Sequence, residues 1–359
     1  MRSVFEEALR LAKQDEPFVI ATVVESKGST PQQAGAKMLI RSDGTAVGTV
    51  GGSCVEGDMW YLGTQLLREK GPPLYRTYEL NEELSDRGGL VCGGTMKLFI
   101  EPFSSPQQQA IIFEKIVHAY NDGPPLAVAT LLENPARKSM IGSKILVQTS
   151  GNFDGTFEDA ELESLVVEAG ARLAELGEQK LISDQEGAEV HIEGFVAPPT
   201  LLLMGAGHVN KAVSSLAATL DFRVYVLDDR EEFANTERFP EAEGVFISDY
   251  EDGMVDFPVN NNTFVVVATR GHRFDDLALA AALRTPARYV GLLGSKRKTI
   301  MIFRNLETDE TLRERIKDVH APVGLDIGAV SPEELAVSIM AEIIMVRRGG
   351  TGAALKMKL

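Results

Sequence analysis

Residues 200–210 read TLLLMGAGHVN, an apolar run that stops at a Gly-Ala-Gly turn and continues as a helical pattern. A leucine run without polar alternation suits a strand buried on both faces, as in a parallel sheet. Gly205 allows a tight turn out of that strand, and Gly207 lets the backbone approach a phosphate at a helix N-terminus. The third position of the G-x-G-x-x-G pattern is Asn210, so helix–strand packing there departs from the usual glycine contact. Outward from this stretch, apolar runs at Arg223–Leu227, Gly244–Ile247, Thr263–Ala268 and Tyr289–Leu293 alternate with helical patterns at Val209–Leu220, Asp275–Leu283 and Pro332–Val346. The alternation predicts a Rossmann-like, doubly wound parallel sheet with right-handed crossovers. Ala197-Pro198-Pro199 continues neither helix nor central strand, so the C-terminal domain is placed at 197–359 and the N-terminal one at 1–196.

In an open α/β sheet the loops after the strands converge on one crevice. Asp228 and Asp229 end the second strand about twenty residues beyond Gly205, the spacing of a ribose-binding carboxylate. His208 opens the first helix, and Arg270 and His272 follow a later strand, with Arg273 nearby. Ser295, Lys296 and Arg297 start another helix, where backbone amides and basic side chains suit a phosphate or carboxylate. These loops form the candidate cofactor-binding crevice. His320 and Asp326 lie on a later segment whose path is not legible, and Asp326 serves equally as a turn cap.

The N-terminal region predicts an amphipathic helix Val4–Lys13, a strand Pro17–Glu25, and a hairpin Ala36–Ile40/Thr45–Val50 turned at Asp43-Gly44. Further strands at Thr95–Glu101, Leu126–Leu131, Lys144–Gln148 and His191–Val196 complete an α+β domain with a mixed or antiparallel sheet. Gly51-Gly52-Ser53-Cys54 leads into a helix. Ser53 is the expected N-cap, placing Cys54 in the first turn, where the helix dipole favours a thiolate. Cys92 is flanked by Gly88-Gly89 and Gly93-Gly94. Two lone thiols do not make a zinc site, but they suit soft metals and sulfur chemistry.

The chain has 359 residues, two cysteines and a net charge of −16. Of that charge, residues 151–199 carry −10, largely through an acidic helical pattern, Phe157–Leu176, with Leu162, Leu165, Val166, Ala169, Leu173 and Leu176 on its apolar face. The excess of acid argues against nucleic-acid binding. The composition reads as cytoplasmic: two cysteines form no disulfide framework, and no apolar run is long enough for a membrane span.

An ordered series of motifs carries a resemblance. These are GSTP at Gly28–Pro31, GAKM at Gly35–Met38, GGSCVE at Gly51–Glu56, CGG at Cys92–Gly94, GAGHV at Gly205–Val209, DDR at Asp228–Arg230, GLLGSKRK at Gly291–Lys298 and HAPVGLDIGA at His320–Ala329. The chain resembles the XdhC/CoxI accessory proteins that mature xanthine dehydrogenase and related molybdenum hydroxylases, from about Phe5 to Arg348. It departs from the common pattern at Gln32, Ser53 and Asn210. The resemblance implies a chaperone that binds molybdenum cofactor (molybdopterin) and assists its sulfuration and insertion, without turnover of its own. It further implies Cys54 and Cys92 as metal- or sulfur-handling thiols, and an apo molybdenum hydroxylase and a cysteine desulfurase as partners of a homodimer.

Two other functions fit the residues. One is an NAD(P)-dependent oxidoreductase using the GAGH crevice, with His208 or His272 as acid or base and Asp228 and Asp229 favouring NAD. The other is a ligand-free scaffold joining a sulfur donor to the apo-hydroxylase.

Overall fold

The computed structural model describes residues 1–80, 93–255 and 257–355. Cys92 lies outside them. The chain divides into two compact units, Met1–Ala197 and Pro198–Leu359.

In the first unit α1 (Arg2–Lys13), β1 (Phe18–Lys27), β2 (Lys37–Arg41), β3 (Ala46–Gly48), α2 (Ser53–Glu69), β4 (Leu74–Glu79), β5 (Thr95–Phe103) and α3 (Ala110–Tyr120) come first. They are followed by β6 (Leu126–Glu133), β7 (Lys144–Gln148), β8 (Phe153–Asp154), α4 (Ala160–Leu176), β9 (Gln179–Ser183) and β10 (Glu189–Phe195). The strands form two five-stranded sheets, β3-β2-β1-β5-β4 and β8-β7-β6-β10-β9. All their pairings are antiparallel, which narrows the mixed-or-antiparallel expectation. Short links such as residues 42–45 allow only reversal, since a parallel neighbour needs a long crossover. Asp43 fixes that turn by accepting the Thr45 N–H at 2.8 Å.

Phe18, Phe103, Phe113, Phe195 and Leu146 share a core that joins one face of each sheet to α1 and α3. The other face of the first sheet packs on α2 through Val55, Met59 and Leu66. The other face of the second packs on α4 through Leu162, Val166 and Leu173. Asp159 caps α4 by accepting the Leu162 N–H, and Glu161 and Glu168 face water. Leu165, assigned to the apolar face by periodicity, is 49% exposed, because the stripe that meets the sheet is narrower than the pattern implies.

Buried polar side chains cross this aromatic core. Lys37 Nζ pairs with Glu193 Oε1 at 2.7 Å and Lys144 Nζ with Glu101 Oε2 at 2.8 Å. His191 Nε2 lies 2.9 Å from Gln179 Oε1. Burial, with the charges of Lys37 and Lys144, pushes the His191 pKa down to about 3. The folded unit therefore holds His191 neutral while the unfolded chain protonates it below about 6.5. Its contribution to stability is complete above that value and is lost as pH falls toward 3, at up to about 1.4 kcal/mol per pH unit. Urea titrations across this range will show that slope, and His191→Gln will flatten it.

The second unit contains β11 (Thr200–Met204), α5 (His208–Thr219), β12 (Arg223–Asp228), β13 (Gly244–Ile247), α6 (Asp252–Val255) and β14 (Thr263–Val267). It continues with α7 (His272–Leu283), β15 (Tyr289–Leu292), α8 (Lys296–Leu306) and α9 (Pro332–Arg348). The sheet is parallel throughout, in the order β13-β12-β11-β14-β15. Alternate residues feed opposite layers: Leu202, Met204 and Val265 pack on the side of α7 and α8, Leu201, Leu203 and Val266 on the side of α5 and α9. This is the doubly wound sheet that the uninterrupted apolar runs predict. From central β11 the chain winds first to β12 and β13, then returns to β14, so the switch point lies between β11 and β14.

Ser331 starts α9 in a capping box with Glu334, leaving Asp326 without that task. His320 bridges Gly291 beyond the edge of β15 and stacks on Tyr289 with ring centroids 4.5 Å apart. Its Nδ1 lies 3.2 Å from Glu342 Oε1, and Tyr289 donates to Glu342 Oε2 at 2.6 Å. These contacts tie His320 to the last helix and the sheet edge.

Candidate functional site

The turns after β11, β12, β14 and β15 lie at the carboxyl edge of the parallel sheet. Gly205 adopts φ +106°, and a Cβ there would stand 2.3 Å from the Ala268 carbonyl oxygen. The turn after β11 thus touches the turn after β14 directly, and only glycine fits. Gly205→Ala should cost at least about 2 kcal/mol through backbone strain and collision, read as a lower urea midpoint. Gly207, the N-cap of α5, has no atom within 4 Å of where a Cβ would stand. This leaves open space at the first helical amides, and His208 is exposed beside it.

Asn210 accounts for the missing third glycine. It is fully buried and donates to the Gly205 carbonyl at 2.7 Å, bracing the turn from behind.

Asp228 is also fully buried. Its carboxylate accepts the Ala206 N–H at 2.7 Å, the Arg230 N–H at 3.0 Å, and Arg230 Nε and Nη2 at 2.8 and 3.0 Å. Desolvation works to raise its pKa, but Arg230 and the amides outweigh it and hold the group below the ordinary carboxylate range. Asp228 therefore faces its own chain, and Asp229 is the carboxylate that continues toward the crevice. Arg270 Nη2 reaches Asp229 Oδ2 at 2.5 Å and lies over the Phe274 ring, 4.7 Å from its centroid.

Asp275 accepts the Thr269 N–H at 3.0 Å and its hydroxyl at 2.7 Å, and pairs with Lys298. Through that pair the turn after β15, where Ser295 caps α8 and Lys296 and Arg297 are exposed, is fastened to the start of α7. His272 is the first residue of α7, after Gly271 at φ +95°. The sheet therefore brings Gly205, Gly207, His208, Asp229, Arg270 and the backbone of His272 to adjoining turns, with Ser295 and its neighbours on the next one.

Sequence reasoning missed Arg230 and Arg238. Arg230 and Arg238 lie 3.9 and 5.2 Å from the Phe233 centroid, and Arg238 Nη2 donates to the Ala206 carbonyl at 3.3 Å. The Asp-Asp-Arg run hints at Arg230, because an arginine two residues after a buried aspartate can fold back on it. No local pattern marks Arg238.

In the first unit the glycine motifs meet one another. A Cβ on Gly28 would stand 3.2 Å from the Gly93 oxygen, and one on Gly94 would stand 2.4 Å from the Ser29 oxygen. A Cβ on Gly51 would stand 2.9 Å from Pro31. The turn 28–31 therefore touches both the glycines that follow Cys92 and the glycine that opens the approach to Cys54. The N-cap of α2 is Gly52, at φ +69°, which corrects the expectation of Ser53. Glu56 does the capping from inside the helix: its Oε2 accepts the N–H of Gly52 at 3.0 Å and of Val50 at 3.2 Å, and the Thr49 hydroxyl at 2.5 Å. Cys54 stands in the first turn of α2.

Among the described residues no three His, Cys, Asp or Glu side chains converge to hold a metal ion. No described helix is long and apolar enough to cross a membrane.

Two family models match, the XdhC and CoxI family over residues 11–79 and the XdhC Rossmann domain over residues 201–343. The chain is 29% identical to the uncharacterized protein YqeB of Escherichia coli over 98% of its own length, spanning about half (47%) of that protein. It is 28% identical to a probable subunit of xanthine dehydrogenase from Bacillus subtilis, covering 94% of this chain and 96% of the other. It is 22% identical to the molybdenum cofactor insertion chaperone PaoD of Escherichia coli, covering 96% and 88%. A crystal structure described as a xanthine dehydrogenase from Bacillus halodurans superposes with a TM-score of 0.70, at 25% identity over 96% of each chain.

Proposed function

The chain belongs to the XdhC and CoxI family, and on that footing we propose that it is a molybdenum-cofactor chaperone serving a hydroxylase of the xanthine dehydrogenase type. The observation that carries the proposal is the meeting of glycine turns around the approach to Cys54, in a chain that also has an open helix N-terminus at Gly207.

The residues present fit such a cargo. A metal that arrives with its own pterin dithiolene ligands needs few ligands from protein. Bound cofactor supplies a soft, oxygen-sensitive molybdenum centre, for which thiolates are matching ligands. Cys54 and Cys92 are the proposed metal- or sulfur-handling thiols. The amides at Gly207 and His208, with Arg270, His272, Ser295, Lys296 and Arg297 on neighbouring turns, are the proposed phosphate-binding groups. The partners on this reading are the apo-hydroxylase and a cysteine desulfurase that provides sulfur. The reducing cytoplasm and homodimeric state belong to the same proposal and rest on the sequence alone.

The test is reconstitution. Protein loaded anaerobically with molybdenum cofactor and freed of excess by gel filtration should activate an apo-hydroxylase faster than the same amount of free cofactor. Equal rates, or loss of cofactor on the column, remove the chaperone role.

A further inference from the structure

The first unit repeats one order of elements. α1-β1-β2-β3-α2-β4-β5 is followed by α3-β6-β7-β8-α4-β9-β10, and the two sheets correspond strand for strand. Local details repeat with it. Gly35 and Gly142, each two residues before a lysine, have φ +93° and +90°. Glu56 accepts the Thr49 hydroxyl and the Val50 N–H, as Glu163 accepts those of Thr156 and Phe157. Thr22 faces Lys37 across β1 and β2 as Thr130 faces Lys144 across β6 and β7. Glu101 faces Ile20 as Glu193 faces Val128.

These paired positions meet between the sheets around a chamber of about 60 Å³. Each lysine takes its carboxylate from the other half, Lys37 from Glu193 and Lys144 from Glu101. The repeat breaks at one lining position, where His191 stands opposite Thr130 and Phe99 opposite Thr22. Five phenylalanines also line the space. Glu101, Thr130 and Lys144 are its partly exposed polar members and give the way in.

Hydrogen-bonding capacity is left over around this chamber. Lys37 Nζ donates to the Gly35 carbonyl at 3.2 Å and to Glu193 Oε1 at 2.7 Å, and Lys144 Nζ to Glu101 Oε2 at 2.8 Å and Thr130 Oγ1 at 3.2 Å. An ammonium has three protons, so each lysine keeps one. Glu193 Oε2, Glu101 Oε1 and the hydroxyl of buried Thr22 bond no described residue. Buried polar groups are nearly always paired, so unspent donors and acceptors around one space call for an occupant.

We infer that the chamber binds a small uncharged molecule with an amide-like edge and a short apolar body. The lining charges select against ions. Both ion pairs are already made and burial holds His191 neutral, so an added anion or cation would bring an uncompensated charge into the core. A carboxamide edge offers a carbonyl to the spare lysine protons and N–H groups to the spare carboxylate oxygens. Water would satisfy the same groups but gains nothing on the phenylalanine wall, and apolar cavities stay dry. The volume, room for about four waters, limits the occupant to a handful of heavy atoms.

The test is a titration of the full-length protein followed by NMR of its threonine methyls, with propionamide, propionate and propylammonium as matched probes. Propionamide should shift the Thr22 and Thr130 signals saturably, with Kd on the order of 1–10 mM, and bind about tenfold more tightly than either ion. Thr22→Val keeps the shape and removes the hydroxyl, and should weaken propionamide about tenfold. Should that variant not fold, the order of the three probes on the wild-type protein decides. No saturable shift, equal or tighter binding of either ion, or full affinity in Thr22→Val overturns the site. The cofactor reading uses none of these residues and stands or falls separately.

Discussion

Cys54→Ser should yield a folded protein that no longer delivers cofactor. The start of α2 is fixed by neighbouring groups: Gly52 supplies the positive-φ backbone, and Glu56 ties down the amides of Val50 and Gly52. Urea unfolding of the variant should therefore match the parent within about 0.5 kcal/mol. A hydroxyl in place of a thiolate is a hard, protonated ligand where a soft anionic one is proposed, and the loss is expected to be on the order of 100-fold, ~2.7 kcal/mol, in cofactor affinity. Activation of the apo-hydroxylase at fixed chaperone concentration should fall in step. A variant that activates as well as the parent would remove Cys54 from the site.

Asp228→Ala should have the largest effect on stability. It leaves the Arg230 guanidinium without its bidentate partner and the Ala206 N–H without an acceptor, both at the turn that shapes the crevice. Breaking a buried ion pair from one side typically costs about 3–5 kcal/mol. The urea midpoint of the C-terminal unit should drop accordingly. The acid response follows the same contact. Because the folded pKa of Asp228 is depressed, its contribution is present above the unfolded pKa and is lost as pH falls through the folded value. The parent should lose stability in that acid window, and the variant should lack this component.

The parallel sheet is legible in the sequence because burial on both faces leaves a continuous apolar run. Thr200–Met204 and Gly244–Ile247 agree with the structure residue for residue, and Arg223–Asp228 and Tyr289–Leu292 differ by one. The layering of the N-terminal unit is not legible. β1 pairs with β5 and β6 with β10 across long intervals of chain, and such pairing is chosen by tertiary packing that local patterns do not encode. In the candidate crevice, glycine spacing and strand ends point to Gly205, Gly207, His208 and Asp229. They do not reveal that Asp228 turns back on Arg230, because the partner of a buried carboxylate is fixed only once the turn folds. At the start of α2, Ser53 looks like the cap by residue type, yet two successive positive-φ glycines turn the chain so that Gly52 is the cap and the helix begins one residue earlier, at Ser53.

If this chain carries molybdenum cofactor in a manner that depends on Cys54, the cofactor should travel with the purified protein. Oxidative release of pterin from protein co-expressed with the cofactor-synthesis enzymes, read by fluorescence after gel filtration, decides the point. Near-stoichiometric pterin is expected on the wild-type protein, and a large loss on Cys54→Ser at equal folded protein. Wild-type protein free of pterin, or a Cys54→Ser variant that retains it fully, would show that the proposed role is wrong.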